Sequence, residues 1–247
     1  MIDLHCHILP GLDDGPRKMA DAVKLARAAV DAGVDTIVAT PHVSETYPNR
    51  AAEIGAAAAA LIVELARRDI PLNIRTGAEI TITQALDVDD DQLAALRLGG
   101  GPYLLVECPL RFERPRAVEA LLMRVQERGH RVVLAHPERS PSFLREPDRL
   151  ARLVGDGMLT SITAGAVGGQ FGRRVATFAV ELLREGLVHD IASDAHDATR
   201  RSPQILEHLV AGERLFPGVS ERAEWYTQGA PAAILAGRPV IVPALTG

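Results

Sequence analysis

Short apolar segments rich in Val, Ile and Leu alternate along this chain with longer segments whose apolar residues recur at helical spacing. The short segments predict seven strands: MIDLH (1–5), DTIVAT (35–40), LNIRT (72–76), YLLVE (103–107), RVVLAH (131–136), LTSIT (159–163) and HDIAS (189–193). Helices are predicted near residues 18–32, 50–68, 116–128, 146–154, 172–185 and 203–211, and residues 213–247 are expected to form a helix and a turn on the outside. Strand–helix units of roughly 25–35 residues indicate parallel pairing through crossover helices.

Seven such units favour an α/β fold, either a barrel or a doubly wound sheet. No linker, low-complexity run or block of charge divides the chain, so residues 1–247 are predicted to form a single domain.

Composition narrows the possible functions. The 247 residues carry a net charge of −5, which argues against nonspecific binding to nucleic acid, because phosphates require a basic surface. No apolar run approaches the ~20 residues of a membrane span, and no signal peptide is expected. Cys6 and Cys108 are too few for a disulfide scaffold, so we expect a cytoplasmic protein.

Ionisable residues occur where the predicted strands end. His5 and His7 lie two apart at the end of the first strand, so their side chains share a face. The same position after later strands is taken by His42, Glu79, Glu107, His136, Asp194 and His196. The carboxyl ends of parallel barrel strands form the face on which active sites are built, so this pattern predicts a site there.

Each of these residues alone has an ordinary explanation as an exposed or hydrogen-bonded side chain, and Glu107 could pair with an arginine. Together, however, several carboxylates and imidazoles buried at one end of a sheet are costly without a compensating charge. Bound metal ions would remove that cost, and nitrogen and carboxylate ligands suit manganese, iron or zinc.

Five motifs in chain order, DLHCHILPGLDDG, ATPH, GAEI, AHPER and ASDAH, resemble those of the PHP (polymerase and histidinol phosphatase) family. Within it, they most resemble the bacterial capsule-type protein-tyrosine phosphatases that act on kinases of polysaccharide assembly. The resemblance covers residues 1 to about 201. It implies a distorted seven-stranded, TIM-like (β/α) barrel and three divalent metal ions, with manganese expected and iron or zinc as alternatives.

The resemblance also implies a ligand set for each ion. The first ion would be held by His5, His7, Glu79 and Asp194; the second by Glu79 as a bridge with Glu107 and His136; and the third by Asp14, His42 and His196. Asp13 replaces Asp14 if the register of the acidic turn is shifted by one. Asp197 departs from the Asn usual at its position, which puts a supporting role for it in doubt.

Phosphate recognition calls for arginine, whose guanidinium binds phosphate oxygens in a bidentate way. Arg139, three residues after His136, is the first candidate, and Arg201 is the second with Arg200 as its rival. The glycine-rich segment 163–172 is read as a tight loop rather than an anion site, and Tyr47 as either an exposed residue or a stacking partner for a substrate ring.

These features predict a metal-dependent phosphatase that acts on phosphotyrosine in proteins. A bacterial tyrosine kinase is the candidate partner, and a homo-oligomer is left open. The alternatives are a small-molecule phosphatase of the histidinol phosphate kind and a non-catalytic metal-binding barrel. A thiol mechanism at Cys108–Arg114 (CPLRFER) is disfavoured, because Pro109 lacks an amide hydrogen and Glu113 repels phosphate.

Overall fold

The computed structural model describes residues 1–110 and 115–243. Its strands lie in the short apolar segments that alternate with the helical patterns. They are β1 (Ile2–Cys6), β2 (Thr36–Ala39), β3 (His42–Val43), β4 (Asn73–Thr76), β5 (Glu79–Thr81), β6 (Tyr103–Glu107), β7 (Arg131–Ala135), β8 (Leu159–Thr163) and β9 (Asp190–Ala192). All seven predicted strands are present within these bounds, and β3 and β5 are additional short strands.

The predicted helices are present, and the described part of the chain adds four short ones at Ile82–Asp87, Asp90–Ala95, Pro141–Arg145 and Ala164–Val167. In chain order, the helices are α1 (Met19–Asp31), α2 (Ala51–Ala66), α3 (Ile82–Asp87), α4 (Asp90–Ala95), α5 (Pro115–Glu127), α6 (Pro141–Arg145), α7 (Pro147–Gly155), α8 (Ala164–Val167), α9 (Arg173–Arg184), α10 (Ile205–Gly212) and α11 (Ala230–Leu235). No helix within residues 1–110 and 115–243 has the length and apolar character needed to cross a membrane.

The strands form two parallel sheets, which confirms the predicted α/β architecture. The first has the order β1-β2-β4 and the second the order β3-β5-β6-β7-β8-β9. An isolated parallel bridge between Cys6 and Ala195 joins the first sheet to the segment after β9. The hydrogen bonding is therefore divided into sheets of three and six strands, rather than the single seven-stranded ladder that the resemblance implied.

This division arises where two strands are interrupted. Residues 40–41 separate β2 from β3, and residues 77–78 separate β4 from β5. Pro41 has no amide hydrogen to give to a ladder. The amides of Gly77 and Glu79 donate to the carbonyls of Ala39 and Pro41 across the gap, at 2.9 and 3.2 Å, so the two pairs of strands remain adjacent.

Alternate strand residues face two different apolar clusters. Leu105 and Val133 belong to an inner cluster, whereas Leu104 and Val132 pack with the surrounding helices. Ile234 of α11 is fully buried in the inner cluster beside residues near the strand starts. The C-terminal segment thus fills the amino-end side of the sheets rather than only covering the outside, and the carboxyl ends remain for the ionisable residues.

His189, just before β9, provides a test of this packing through pH. It is buried, and its Nδ1 accepts a hydrogen bond from the Thr160 amide at 3.2 Å, so the folded protein holds the neutral imidazole. Burial lowers the pKa of His189 from 6.5 to about 4. At pH values between about 4 and 6.5, the unfolded chain binds a proton at His189 that the folded chain does not bind. The free energy of unfolding therefore decreases as the pH falls through this range.

The free energy of unfolding should decrease between about pH 7 and pH 4.5 in both the wild type and His189→Gln. We expect this decrease to be smaller by roughly 2–3 kcal/mol in His189→Gln than in the wild type. Urea unfolding of both proteins at each pH, with chelator throughout, measures this difference without a contribution from metal release. An identical pH dependence in the two proteins would contradict the assignment.

Candidate metal centre

The ionisable residues predicted from the strand ends converge on one face of the protein. Strands β1, β3, β5 and β6 carry the first members, and the segments directly after β1, β7 and β9 carry the others. Together with the acidic turn after β1, these elements bring together His5, His7, Asp14, His42, Glu79, Glu107, His136, Asp194 and His196. This arrangement follows from parallel strands, whose carboxyl ends meet on one side of a sheet.

Four donor atoms surround a common point in the deepest part of the cluster. The Nε2 atoms of His5 and His7 are 3.2 Å apart. Each lies 3.3 Å from Glu79 Oε2 and 3.5 Å from Asp194 Oδ1. Ligand atoms about 2.0–2.2 Å from a common ion lie roughly 3–3.5 Å from one another, so this spacing suits a divalent metal.

Glu79 is the most demanding residue of the cluster. It is fully buried, and its Oε2 accepts no hydrogen bond of normal geometry although imidazole nitrogens surround it. Burial acts to raise the pKa of Glu79, but the charges of His5 and His136 outweigh burial and hold the pKa well below its ordinary value. An ionised carboxylate with an unsatisfied buried oxygen fits a metal ligand.

Asp194 is held in the same charged state. Burial again opposes ionisation, while His5, His7 and Arg201 keep the pKa of Asp194 well below its ordinary value. The two carboxylates are therefore both anionic and both buried, and their compensating charge comes from the groups of the cluster.

The other oxygen of Glu79 faces the second predicted group. His136 Nε2 lies 2.7 Å from Glu79 Oε1 and 3.7 Å from Glu107 Oε1. Burial and the neighbouring Glu79 raise the pKa of Glu107 to about 7. The two oxygens of Glu79 thus point to different sets of donors, as a bridging ligand requires.

The third predicted group lies nearer the surface. Asp14 Oδ1 is 3.2 Å from His196 Nε2 and 3.5 Å from His42 Nε2. His42 Nδ1 is 2.9 Å from Glu79 Oε2, so His42 stands between this group and the buried one. Asp14 is half-exposed, which leaves one side of this group open to solvent.

Hydrogen bonds outside the cluster orient two of the imidazoles. His7 Nδ1 lies 2.6 Å from Asp13 Oδ2, and His196 Nδ1 lies 2.9 Å from the carbonyl oxygen of Asp194. With Nδ1 of both rings held in this way, each Nε2 would present its lone pair to a bound metal, which is the usual arrangement for a metal-ligating histidine.

Asp13 therefore differs from Asp14 in its task. Its Oδ2 also accepts the amide of His42, and its Oδ1 accepts the amide of Gly15, each at 3.0 Å. The structure turns Asp14, and not Asp13, toward the imidazole Nε2 atoms of His42 and His196.

Both predicted arginines lie against Asp194. Arg139 donates to Asp194 Oδ2 at 2.9 Å, and Arg201 donates to the same oxygen at 2.7 Å. Asp194 Oδ1 faces the histidines, so this carboxylate links the donor cluster to two fixed cations. Arg200 does not share this arrangement, because only its main chain is bonded there: its amide donates to Asp197, and its carbonyl accepts from Gln170.

Two cluster residues adopt a left-handed backbone. His136 has φ +33° and Asp194 has φ +52°, each directly after or close after a strand. Residues other than glycine rarely occupy this region, and such strain is characteristic of functional sites. The sharp turn it creates points both side chains back over the strand ends.

Phe171 and Asn49 carried no sequence signal that identified them as supporting residues, whereas the sequence predicts Tyr47 as either an exposed residue or a stacking partner for a substrate ring. Phe171, in the glycine-rich segment, lies under the Arg139 guanidinium at 4.6 Å from the ring centre. Asn49 donates to the carbonyls of Leu12 and His42, which ties the acidic turn to β3. Tyr47 stacks on His42 at 5.8 Å, so it packs on a cluster residue instead of standing exposed.

Asp197, whose identity raised doubt, has a structural task. Its Oδ1 accepts the amides of Thr199 and Arg200 at 2.7 and 2.6 Å, and these bonds shape the turn that presents Arg201.

Among the described residues, neither thiol belongs to the donor groups of the cluster. Cys6 is fully buried, and burial raises its pKa well above the ordinary value. Cys108 is 1 % exposed. Arg114, which would complete the Cys-x5-Arg motif, lies outside the described residues.

A parallel α/β fold with a histidine and carboxylate cluster at the strand ends, flanked by arginines, defines a candidate metallohydrolase. The family model for capsular polysaccharide synthesis proteins CpsB/CapC matches residues 1–216, and this chain belongs to that family. The resemblance drawn from the five motifs is thereby confirmed.

Named relatives extend over most of the chain. It is 39 % identical over 218 residues to the tyrosine-protein phosphatase YwqE of Bacillus subtilis, covering 87 % of this chain and 85 % of the relative. It is 32 % identical over 230 residues to the putative tyrosine-protein phosphatase CapC of Staphylococcus aureus, covering 93 % and 89 %.

Solved structures agree with the fold. A structure from work on YwqE of B. subtilis and CpsB of Streptococcus pneumoniae, described as metal-dependent tyrosine phosphatases, matches with a TM-score of 0.85 at 36 % identity over 98 % of this chain and 97 % of the other. A β-aspartyl dipeptidase from Fervidobacterium islandicum matches in fold alone, with a TM-score of 0.62 at 16 % identity over 99 % and 76 % of the two chains.

Asp13→Asn tests whether the hydrogen bond to His7 supports metal binding. An amide no longer provides the negative charge beside Nδ1, so we expect divalent metal affinity to fall about 10–100-fold in a folded protein. Titration with Mn²⁺, followed by calorimetry, measures the change, and the exposed Asp21→Asn serves as a control with the same loss of charge. Equal affinities for the Asp13 variant and the control would exclude this role.

Proposed function

We propose that this chain is a metal-dependent phosphomonoester hydrolase that removes phosphate from tyrosine side chains of proteins. The observation that carries the proposal is the shared carboxylate of Asp194. One of its oxygens faces the imidazoles of His5 and His7, and the other holds Arg139 and Arg201. Groups that suit a metal and groups that suit phosphate are therefore fixed side by side.

The proposed metal content is three divalent ions, with manganese expected and iron or zinc as alternatives. The ligand sets are those implied by the resemblance. All nine residues lie in overlapping groups whose donor atoms are within 4.8 Å of one another, which supports a site for several ions. Bound divalent ions lower the pKa of a coordinated water and neutralise the charge of the phosphate oxygens.

The arginines have the task of positioning the phosphate. Each guanidinium has five N–H donors, and the bond to Asp194 leaves others for phosphate oxygens. The Phe171 ring under Arg139 provides a cation–π contact that supports the guanidinium. Pre-positioned cations stabilise the charge that develops in the transition state without having to reorganise.

The proposal of phosphotyrosine rests on leaving-group chemistry and on the named relatives. A phenolate is a better leaving group than the alkoxide of serine, because the pKa of a phenol is near ~10. The relatives are named as tyrosine-protein phosphatases, and the family model concerns capsular polysaccharide synthesis. We accordingly propose phosphotyrosine proteins, with a bacterial tyrosine kinase of polysaccharide assembly as the candidate partner.

We also propose that the two sheets together make a distorted seven-stranded barrel. If β2 with β3, and β4 with β5, are each counted as one interrupted strand, the strand number is seven. The hydrogen bonds of Gly77 and Glu79 across the interruptions and the bridge from Cys6 to Ala195 support a continuous wall.

A comparison of substrates tests the function. With manganese present, we expect kcat/KM for a phosphotyrosine peptide to exceed that for the matching phosphoserine peptide and for histidinol phosphate, and we expect chelation to abolish turnover of all three. A preference for histidinol phosphate would move the protein to the small-molecule class, and full activity after removal of bound metal would reject the mechanism.

Arg139→Ala tests the phosphate contact. One charge-assisted hydrogen bond contributes about 1.5–3 kcal/mol, so kcat/KM should fall about ten- to a hundredfold. Metal content, measured by elemental analysis, should stay the same, because Arg139 is not among the proposed ligands. The exposed Arg152→Ala is the matched control; a loss of metal, or unchanged kcat/KM, in the Arg139 variant would contradict the assignment.

A further inference from the structure

A cleft of about 800 Å³ opens directly beside the candidate metal centre. Its inner wall contains Asp14, His196 and Arg201, which belong to the centre. Its outer wall contains Arg17 and Arg200, which lie outside the centre. A substrate whose phosphate lies at the centre must extend through a neighbouring opening, and this cleft is continuous with the centre through three shared residues.

The carboxylates of the cleft are already engaged. Asp14 lies against His196 Nε2 and takes part in the outer metal group. Asp21 pairs with Lys24 at 2.9 Å. Asp197 accepts the main-chain amides of Thr199 and Arg200 in the turn that follows it. Within the described residues, none of these three carboxylates is paired with the guanidinium of Arg17 or Arg200.

Arg17 and Arg200 are the two cations that remain. Both side chains are exposed, and within residues 1–110 and 115–243 neither guanidinium has an ion pair or a hydrogen bond. The main chain at each position is fixed nevertheless. The carbonyl of Pro16 accepts the amide of Gly11 at 2.8 Å, and the amide and carbonyl of Arg200 are bonded to Asp197 and Gln170.

The side chains of Arg17 and Arg200 thus line the same cleft, and both extend from main chain that is held by hydrogen bonds. Arg17 approaches from the segment before α1, and Arg200 from the turn before α10. Arginine presents a planar set of donors that matches carboxylate and phosphate oxygens, so paired guanidiniums without internal partners are suited to an anionic group of a ligand.

We propose that this cleft binds anionic side chains next to the phosphotyrosine of the substrate, an inference that rests on the proposed phosphatase function. The anion is either a carboxylate of Asp or Glu or a second phosphate group, since both offer oxygens to Arg17 and Arg200. The two arginines select the peptide and take no part in the chemistry at the phosphotyrosine.

The experiment compares four phosphotyrosine peptides that differ only in the flanking residues, which are Glu, phosphoserine, Gln or Lys, together with p-nitrophenyl phosphate. The proteins are the wild type, Arg17→Ala, Arg200→Ala and, as matched control, Arg27→Ala. Arg27 is exposed on the same helix as Lys24 but lies outside the cleft wall, so its loss changes net charge equally.

We expect the wild type to prefer the anionic peptides over the Gln peptide and the Gln peptide over the Lys peptide. Each cleft variant should lose about three- to tenfold in kcat/KM on an anionic peptide, mainly through KM. Turnover of p-nitrophenyl phosphate should be unchanged in these variants, and Arg27→Ala should resemble the wild type on every substrate. A loss confined to the phosphoserine peptide identifies phosphate as the anion, and a loss on the Glu peptide identifies carboxylate.

Wild-type kcat/KM values for the Glu and the phosphoserine peptides that both equal the value for the Gln peptide would overturn the inference, as would an equal loss on the peptides and on p-nitrophenyl phosphate. Failure of the wild type to hydrolyse any phosphotyrosine substrate with manganese would instead reject the proposed function. The two failures are therefore distinguishable in the same set of measurements.

Discussion

The burial of two ionised carboxylates, Glu79 and Asp194, is the constraint on which the rest of the site depends. An isolated charge in a protein interior is costly, so each carboxylate requires compensating groups within a few ångströms. Imidazoles at the neighbouring strand ends compensate Glu79, and arginines together with imidazoles compensate Asp194. The outer parts of the site follow from this need: Asp13 fixes the ring of His7, and Phe171 supports Arg139.

The fold satisfies that constraint because parallel strands deliver many side chains to one face. The apolar residues of β6 and β7 serve the inner cluster and the helices in alternation, so the strands can be buried on both sides. The histidines and carboxylates of the cluster accordingly lie at or after the strand ends. The left-handed turns at His136 and Asp194 are the local cost of directing side chains back over those ends.

Much of this arrangement could be predicted from the sequence, for reasons that also explain the gaps. Buried parallel strands consist of continuous apolar residues, so all seven strand segments were recognisable in the sequence. The strands β3 and β5 have only two and three residues, which is too short to give a pattern. The clustering of His5 with Glu79 follows from strand ends. The choice between Asp13 and Asp14, or between Arg200 and Arg201, depends on the direction of side chains in turns, which residue spacing does not determine. Phe171 was missed because its partner is distant in sequence.

The position of Ile234 in the C-terminal segment has a consequence for the evolution of the protein. The family model ends at residue 216, yet Ile234 fills the inner cluster on the side away from the metal-ligand candidates. Stability is thus partly supplied by a segment that touches none of the chemistry. Replacements there can adjust heat tolerance or turnover of the chain in the cell while the face that carries the candidate metal centre stays unaltered, so the two ends of the sheets are free to evolve at different rates.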